Sequence, residues 1–231
     1  MTPVVLYEDN HLLVIDKPAG MVAQGALPGA PSVVDWAKDY LKRKYAKPGN
    51  VFVGVVSRLD RDVSGVLVLA RTSKGAARLN EQFRERTVEK IYWAVVDGSP
   101  PAEGRCEDLL GEDREHGRTA VVPGEELGEG LSGDARPATL AFRRLATTGE
   151  FALLEVRLET GRKHQIRVQL AARGWSIVGD RKYGSRRSFS DGIALHARRL
   201  KITHPTRAEA VVVEAPVPPA WRSLGFREFA K

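Results

Sequence analysis

Acidic and basic side chains alternate just before an apolar run in the stretch VSRLDRDVSGVLVLART, residues 56–72. Charged residues are rarely buried without partners, because desolvation costs several kcal/mol per ion. Asp60 and Asp62, with Arg58 and Arg61, therefore form either a solvated turn before a strand or a functional site. Asp60 itself is either an arginine-paired carboxylate that fixes the loop, or a nucleophile or general base. Because an adjacent cation lowers the pKa of a carboxyl group, the functional interpretation favours nucleophilic attack over proton abstraction.

A second charged cluster lies in the stretch TGRKHQIRVQLAARG, where residues 163–173 are predicted to form a helix. His164 and Arg167 then share one face of this helix, because residues three apart are neighbours. Arg162, Lys163 and Arg167 place three cations near the helix start, where the helix dipole disfavours positive charge. A sequence that breaks a local rule in this way can be serving a function. Ordinary solvated cations are the alternative.

Apolar and alternating runs predict the strands that position these clusters. The predicted strands lie in VVLYEDNHLLVIDKPAG (a strand on each side of a turn), GVLVLA, VEKIYWAVVDG, residues 151–159 and IALHARRLKITHP. In VEKIYWAVVDG, Tyr92 lies on the face opposite Ile91 and Trp93, because side chains alternate along a strand. Helical spacing predicts two further helices, SVVDWAKDYLKRKYAKPGN with Ser32 as N-cap and KGAARLNEQFRER with Ser73 as N-cap.

Residues 99–137 differ from their surroundings, since they are rich in glycine, proline and acidic residues and show little periodicity. We expect loops and short hairpins there, because the segment has too few apolar residues for a core of its own. The proline-rich segment EAPVPPAW near the C-terminus predicts an irregular tail.

Composition narrows the class of protein. The 231 residues include 36 basic and 29 acidic ones, which gives a net charge of +7 and an isoelectric point near 9.7. This balance favours a polyanionic partner, with nucleic acid first. Cys106 is the only cysteine, so an intrachain disulfide is excluded. The five histidines lack zinc-type spacing, so no metal site is predicted.

The sequence also lacks the signatures of several other classes. No apolar run reaches the roughly 18 residues that a membrane span needs. The N-terminus, MTPVVLYEDNHLL, lacks the basic and long apolar regions of a signal peptide. We therefore expect a cytoplasmic protein that contacts no membrane. No nucleotide-binding glycine motif follows a predicted strand.

Five motifs give the chain a specific resemblance. They are SRLDRDVSGVLVLAR, KIYWAVVDG, TGRKHQIRVQL, GDRKYG and LHARRLKITHP, in this order. In order and content they resemble the RluA-type pseudouridine synthases, and the resemblance runs from YEDNHLLVIDKPAG to the C-terminus. The family pattern His-Arg-Leu-Asp-x-x-[Thr/Val]-Ser-Gly is specific, and it is followed about a hundred residues later by Thr-Gly-Arg-x-His-Gln-[Ile/Leu]-Arg.

The resemblance implies an enzyme that converts uridine in RNA to its C5-glycosidic isomer without cofactor or metal. Asp60 matches the family's catalytic aspartate, Tyr92 the active-site tyrosine that stacks on the base, and Arg167 the arginine that pairs with the aspartate. Arg58 matches an arginine that enters the RNA where the target base leaves. The implied fold is α+β, with a mixed, largely antiparallel sheet in two subdomains flanked by helices and an active-site cleft between them.

We expect one catalytic domain over residues 1–231, without the S4-type RNA-binding domain that many relatives carry in front. The expected partner is a ribosomal or transfer RNA with the target uridine in a structured stem-loop. We expect Arg58, Arg162, Lys163 and His164 to contact this RNA. A monomer is expected.

Two positions depart from the family pattern, since Ser57 and Gln169 stand where the family often has histidine. Two other functions remain open from the residues. One is a non-catalytic RNA-binding protein on the same scaffold, which the combination of Asp60, Tyr92 and Arg167 disfavours. The other is a hydrolase that uses Asp60 with a histidine such as His164 or His196, which the lack of a nucleophile-elbow serine or metal cluster disfavours.

Overall fold

The structure is a computed structural model that describes residues 2–25, 31–113, 117–122 and 135–229. It divides into two compact units. The first unit contains the residues before Ile91 together with His196–Pro218, and the second contains Ile91–Leu195 and the residues from Pro219 onward. Each unit is therefore assembled from separate stretches of the chain.

Strands dominate the part of the chain that the structure describes. In chain order they are β1 Val4–Glu8, β2 Leu12–Lys17, β3 Gly54–Val55, β4 Ser64–Ala70, β5 Glu89–Asp97, β6 Glu103–Asp113, β7 Arg118–Val122, β8 Arg136–Thr148, β9 Phe151–Leu158, β10 Leu195–Thr203 and β11 Ala210–Glu214. The α-helices are α1 Val33–Lys44, α2 Ser73–Glu85 and α3 Gln165–Ala171, and short 3-10 helices cover Arg181–Tyr183 and Pro219–Leu224.

In the first unit the strands are ordered β1-β2-β4-β10-β11, and β3 also pairs with β4. The pairing of β4 with β10 is parallel and joins Ser64 to His196, while the other pairs are antiparallel. Every residue of β4 is buried, as the apolar run predicts. Val66 and Val68 of this strand pack with Leu79 of α2 in one core cluster.

The helices of the first unit begin where polar side chains can satisfy free backbone N–H groups. Ser32 caps α1 as predicted, since its hydroxyl accepts the N–H of Asp35. The Asp35 carboxylate in turn accepts the N–H of Ser32, which completes a capping box. The predicted cap of α2 was wrong by one residue, since Thr72 accepts the N–H of Gly75 at 3.1 Å and Ser73 is the first helical residue. Threonine can serve because its hydroxyl is an N-cap acceptor of the same kind.

In the second unit the strands are ordered β5-β9-β8-β6-β7, and all four pairings are antiparallel. The prediction of loops and short hairpins over residues 99–137 is right for the hairpin that β6 forms with β7, but β6 is 11 residues long and its first part pairs with β8. Cys106 and Leu110 of β6 are buried, whereas Arg105 and Glu107, on either side of Cys106 in the chain, are exposed and form an ion pair. Residues 123–134 of that segment lie outside the described residues.

The predicted helix over residues 163–173 is shorter than expected, since α3 covers Gln165–Ala171. His164 directly precedes this helix and has a left-handed backbone conformation, with φ +55°. His164 is therefore the N-cap and does not share a helical face with Arg167. The predicted strands in β1, β2, β4, β5, β9 and β10 are confirmed, and so is the predicted class, a mixed and largely antiparallel α+β fold.

Gly65 lies where β4 meets β10, and an added Cβ there would be 2.3 Å from the carbonyl oxygen of Ala197. Its φ of +111° is also one that L-residues rarely adopt. We predict that Gly65→Ala lowers the free energy of unfolding by at least about 3 kcal/mol, since neither backbone can move away without breaking the strand pair. Urea titration followed by circular dichroism measures this loss.

Gly20→Ala is the matched control for this prediction, because Gly20 also has a positive φ of +85° but has no heavy atom within 4 Å of the added Cβ. It should cost only about 1 kcal/mol from the backbone conformation. Equal losses for the two variants would contradict the steric explanation.

Candidate active site

The loop between β3 and β4 carries the predicted catalytic aspartate. Asp60 is half-buried and Arg58 is exposed, while Leu59 and Val63 are buried at 9% and 3% exposure. The N–H of Val63 donates to the carbonyl of Asp60 at 3.2 Å and closes a turn. Two apolar side chains therefore anchor the loop that carries the half-buried Asp60 and the exposed Arg58.

A buried lysine also holds the backbone of the loop between β3 and β4. Lys17, at the end of β2, is completely buried, and its ammonium group donates to the carbonyls of Pro18 at 2.9 Å, Met21 at 2.9 Å and Arg61 at 3.1 Å. The N–H of Gly20 donates to the same Arg61 carbonyl at 2.8 Å. Bonds to a charged donor are worth about 1.5–3 kcal/mol each, so the backbone next to Asp60 is held firmly. Lys17 is not among the predicted site residues, because its contacts with these carbonyls depend on the folded chain.

Asp62, the second aspartate of this loop, pairs with its neighbour Arg61 at 3.0 Å. The two side chains are 35% and 56% exposed, so the ion pair is solvated and contributes little to stability. Asp62 therefore fits the structural interpretation, whereas Asp60 remains the candidate for chemistry.

The predicted cluster of cations around α3 contains one buried group. Arg167 is 6% exposed, and it donates through Nε and Nη2 to the two carboxylate oxygens of Asp180, at 2.7 and 2.9 Å. Its guanidinium carbon also lies 5.0 Å from the ring centroid of Tyr183. A bidentate carboxylate and an aromatic face together compensate the desolvation of a buried cation. Both partners come from the GDRKYG motif.

Tyr183 also connects the helix start to β7. Its hydroxyl accepts the N–H of Thr119 at 3.2 Å and lies 2.8 Å from Nδ1 of His164. The Tyr183 hydroxyl therefore contacts both β7 and the residue that precedes α3. Burial is the main cause that raises the pKa of Tyr183, so its hydroxyl stays protonated near neutral pH.

The second unit, which contains Arg167 and His164, also contains three other predicted site residues, Arg162, Lys163 and Tyr92. Arg162 donates through Nε to the Pro137 carbonyl at 3.1 Å, and exposed Lys163 pairs with Glu112 at 3.1 Å. Tyr92 is a half-buried residue of β5 that pairs with Val156 of β9. The chain thus brings Arg58 and Asp60 together on one loop. It groups Arg162, Lys163, His164 and Arg167 at one turn and helix start, and the pairing of Asp60 with Arg167 stays a prediction.

Gln169, one of the two departures from the family pattern, has a structural explanation. Its amide nitrogen donates to Asp108 at 2.6 Å and to the Ala138 carbonyl at 3.1 Å, and the side chain is fully buried. A neutral imidazole has one N–H and could serve only one of these acceptors, whereas the neutral amide serves both. Nothing in the structure explains Ser57.

His196, one candidate base for a hydrolase, is not accessible to a substrate. It is completely buried, and its Nδ1 lies 2.9 Å from the hydroxyl of Ser64. Burial, followed by the charge of Arg198, lowers the pKa of His196 to about 4, although the Ala215 carbonyl opposes this. Its environment therefore supports packing of β10 against β4 and disfavours a role as general base.

The described residues offer neither a metal cluster nor a membrane-spanning helix. In residues 2–25, 31–113, 117–122 and 135–229, no group of three or more histidine, cysteine, aspartate or glutamate side chains could hold a metal ion. Within the same ranges, every helix is too short or too polar to cross a membrane.

Comparisons with known proteins identify relatives of the whole chain. Residues 11–172 match the family model described as RNA pseudouridylate synthase. An uncharacterized RNA pseudouridine synthase from Chloroflexus aurantiacus is 43% identical over 209 residues, which cover 88% of this chain and 62% of the relative. Ribosomal large subunit pseudouridine synthase D from Xanthomonas campestris is 38% identical over 231 residues, which cover 93% of this chain and 66% of the relative. The chain thus spans slightly less than two thirds of the length of these two relatives.

A solved structure supports the same relationship. The human protein named RNA Pseudouridylate Synthase Domain Containing 4 superposes with a TM-score of 0.81 at 26% sequence identity, and the alignment covers 96% of this chain and 93% of the human chain. The arrangement of strands and helices described above is therefore the fold of that structure.

The burial of His196 generates a prediction about stability and pH. An unfolded histidine binds a proton below about pH 6.5, while the folded His196 stays neutral down to about pH 4. The unfolded state therefore gains protons first, so the free energy of unfolding should fall by roughly 3 kcal/mol as the pH drops from 6.5 to 4. Urea titrations across this range measure the slope.

His196→Gln is the control, because glutamine does not titrate. Its stability should vary much less between pH 6.5 and 4, whatever its absolute value. Asp9, whose pKa lies at about 2 because hydrogen bonds outweigh burial, begins to lose its contribution at the acid end of this window, but this loss is common to the unmodified chain and the variant. An unchanged slope in the variant would contradict the assignment.

Proposed function

The chain belongs to the RNA pseudouridylate synthase family, and on this premise we propose that it isomerises specific uridines of an RNA substrate to pseudouridine. The observation that carries the proposal is the match over residues 11–172, which includes Asp60, Tyr92 and Arg167. The predicted family and reaction class are confirmed at the level of the family. The substrate, the site residues and the activity of this particular chain are the proposal.

We propose ribosomal RNA of the large subunit as the first substrate to examine. Relatives that are 38% and 32% identical, from Xanthomonas campestris and Zymomonas mobilis, are named ribosomal large subunit pseudouridine synthase D. Transfer RNA is the alternative. We further propose that the protein acts in the cytoplasm as a monomer, and that residues 1–231 form one catalytic domain.

The proposed reaction conserves every atom of the nucleotide. The N1–C1′ bond breaks, the uracil rotates, a C5–C1′ bond forms, and one proton moves from C5 to N1. The carboxylate of Asp60 starts the reaction by attack on the nucleoside or by proton removal that accompanies glycosidic cleavage. Neither route needs an oxidant, a metal or a cofactor, so Asp60 and its surroundings supply the chemistry.

Arg167 is proposed to pair with the carboxylate of Asp60. Its Nε and Nη2 atoms donate to Asp180. A cation beside a carboxylate favours the charged, nucleophilic form, which a dry site would otherwise disfavour. Tyr92 is proposed to hold the detached uracil on its ring face, which is worth roughly 1–3 kcal/mol per base.

Arg58 is proposed to occupy the space that the target base vacates. A uracil inside a base stack cannot be reached at C1′ or C5, so the nucleotide must leave the helix first. Arg58 is exposed on the pinned loop two residues before Asp60, and its planar guanidinium can hydrogen-bond an orphaned partner base. Arg162, Lys163 and His164 are proposed to contact the RNA around the same nucleotide.

Asp60→Asn tests the chemical role, because asparagine keeps the shape of aspartate but removes its charge and nucleophilicity. We predict that pseudouridine formation is abolished, while RNA affinity stays within about tenfold because affinity depends mainly on phosphate contacts and stacking. Nucleoside analysis of the treated RNA measures product, and filter retention measures binding. Asp62→Asn, two residues away on the same loop, should retain activity, and full activity of Asp60→Asn would exclude the proposed mechanism.

Arg58→Ala tests the flipping role separately, because it leaves Asp60 in place. Turnover should fall most on a folded stem-loop and least on a flexible strand with the same uridine, since extruding a paired base costs a few kcal/mol. Product formation on both RNAs is the measurement. An equal loss on the two substrates would reject the flipping role and leave the role of Asp60 intact.

A further inference from the structure

The C-terminal end of α1 and the residues after it combine exposed basic and aromatic side chains. Residues 38–47 contain five basic residues and one acidic residue. We call the exposed group Lys42, Arg43, Lys44, Tyr45 and Lys47 the α1 patch. The helix dipole explains cations in the last turn, but Lys47 lies beyond the end of α1, and the dipole gives no reason to expose an aromatic ring.

Glu8 holds this patch in one conformation. Its side chain is only 7% exposed, and its carboxylate accepts bonds from Lys44 at 2.7 Å, Tyr40 at 2.8 Å, Tyr45 at 2.6 Å and Arg71 at 3.0 Å. One anionic residue thus fixes two tyrosine hydroxyls and two cations. The rings are ordered before any ligand arrives, which reduces the entropy lost on binding.

Tyr45 is the accessible ring of the patch. It is 44% exposed, and the guanidinium carbon of Arg71 lies 4.7 Å from its centroid. The ammonium groups of Lys44 and Lys47 lie 5.7 and 6.0 Å from the same centroid. A ring surrounded by cations offers a stacking surface for a base and, beside it, partners for the flanking phosphates.

The neighbouring turn of α1 continues the aromatic surface. Trp36 and Tyr40 are stacked, with centroids 5.3 Å apart and an interplanar angle of 11°, and both are half-buried. Basic residues interleaved with aromatic ones are typical of surfaces that bind single-stranded nucleic acid, because unpaired bases can stack and every nucleotide carries a phosphate.

We propose that the α1 patch binds a single-stranded segment of the substrate RNA that flanks the modified stem-loop, with a base on Tyr45 and phosphates on Lys42 and Lys47. The proposal rests on the proposed function for the identity of the ligand. It uses none of the residues assigned to the reaction, and it gives the chain a way to select RNAs by the strand beside the target.

Two RNAs test this inference, a uridine-containing stem-loop and the same stem-loop with a single-stranded oligouridine extension. Lys42→Gln with Lys47→Gln removes two charges without touching the bonds at Glu8. This double variant should bind the extended RNA about tenfold more weakly, and its salt dependence, log K against log salt, should be shallower by about 1.4. Its affinity for the bare stem-loop should change by less than about twofold.

Lys74→Gln with Arg84→Gln is the matched control, because it removes two exposed positive charges from α2 in the same unit. Its affinity for both RNAs should stay within about twofold of the unmodified chain. Tyr45→Leu should weaken binding of the extended RNA by about fivefold or more, and Tyr45→Phe, which keeps the ring, should retain most of the affinity. Thermal melting checks that each variant is folded.

Photocrosslinking identifies the contact directly. With 4-thiouridine in the extension, the crosslinked peptide should contain Tyr45. Equal effects of the two double variants on binding of the extended RNA would overturn the proposal. It would also be overturned if Lys42→Gln with Lys47→Gln lost affinity for anionic phospholipid vesicles while its RNA binding was unchanged. Failure of the proposed function has a different signature, since the unmodified chain would then bind RNA without forming pseudouridine.

Discussion

The buried ammonium group of Lys17 is the constraint on which the geometry of the candidate loop depends. A cation without solvent must be surrounded by acceptors, and here the acceptors are backbone carbonyls from the DKPAG turn and from Arg61. Because the carbonyl of Arg61 directly follows Asp60 in the chain, satisfying the lysine also fixes the aspartate. The requirement to surround the buried ammonium group with acceptors thereby also fixes the backbone next to Asp60.

The second unit also contains a buried cation whose desolvation is compensated, here by a carboxylate and an aromatic ring. Arg167 is buried on α3, and the carboxylate of Asp180 and the ring of Tyr183 compensate its desolvation. Removal of one partner of such a pair is far more costly than the pair is worth, because the remaining charge stays buried. Asp60 therefore lies next to backbone that a buried lysine holds, and Arg167, its proposed partner, is itself held by Asp180 and Tyr183.

Sequence patterns predicted the elements whose periodicity is strong, and they failed where context decides. The apolar run of β4 and the Ser32 cap are local signals, and both are confirmed. The length of β6 was not predicted. Its exposed face carries charged residues such as Arg105 and Glu107, so the composition of the strand resembles that of a loop. Motif resemblance supplied the family and the candidate residues, but no pattern of residue types could show that Lys17 and Asp180 support them, since these contacts depend on the folded chain.

The parallel pairing of β4 with β10 has a consequence for how the protein is made. Ser64 and His196 are neighbours in this pair although 132 positions separate them in the sequence. A ribosome that adds about 5–20 residues per second delivers β10 many seconds after β4. During that interval the buried edge of β4 lacks its neighbour, and closing so long a loop is entropically slow. The apolar strand beside Asp60 is therefore a segment of the nascent chain that needs protection from aggregation before translation ends.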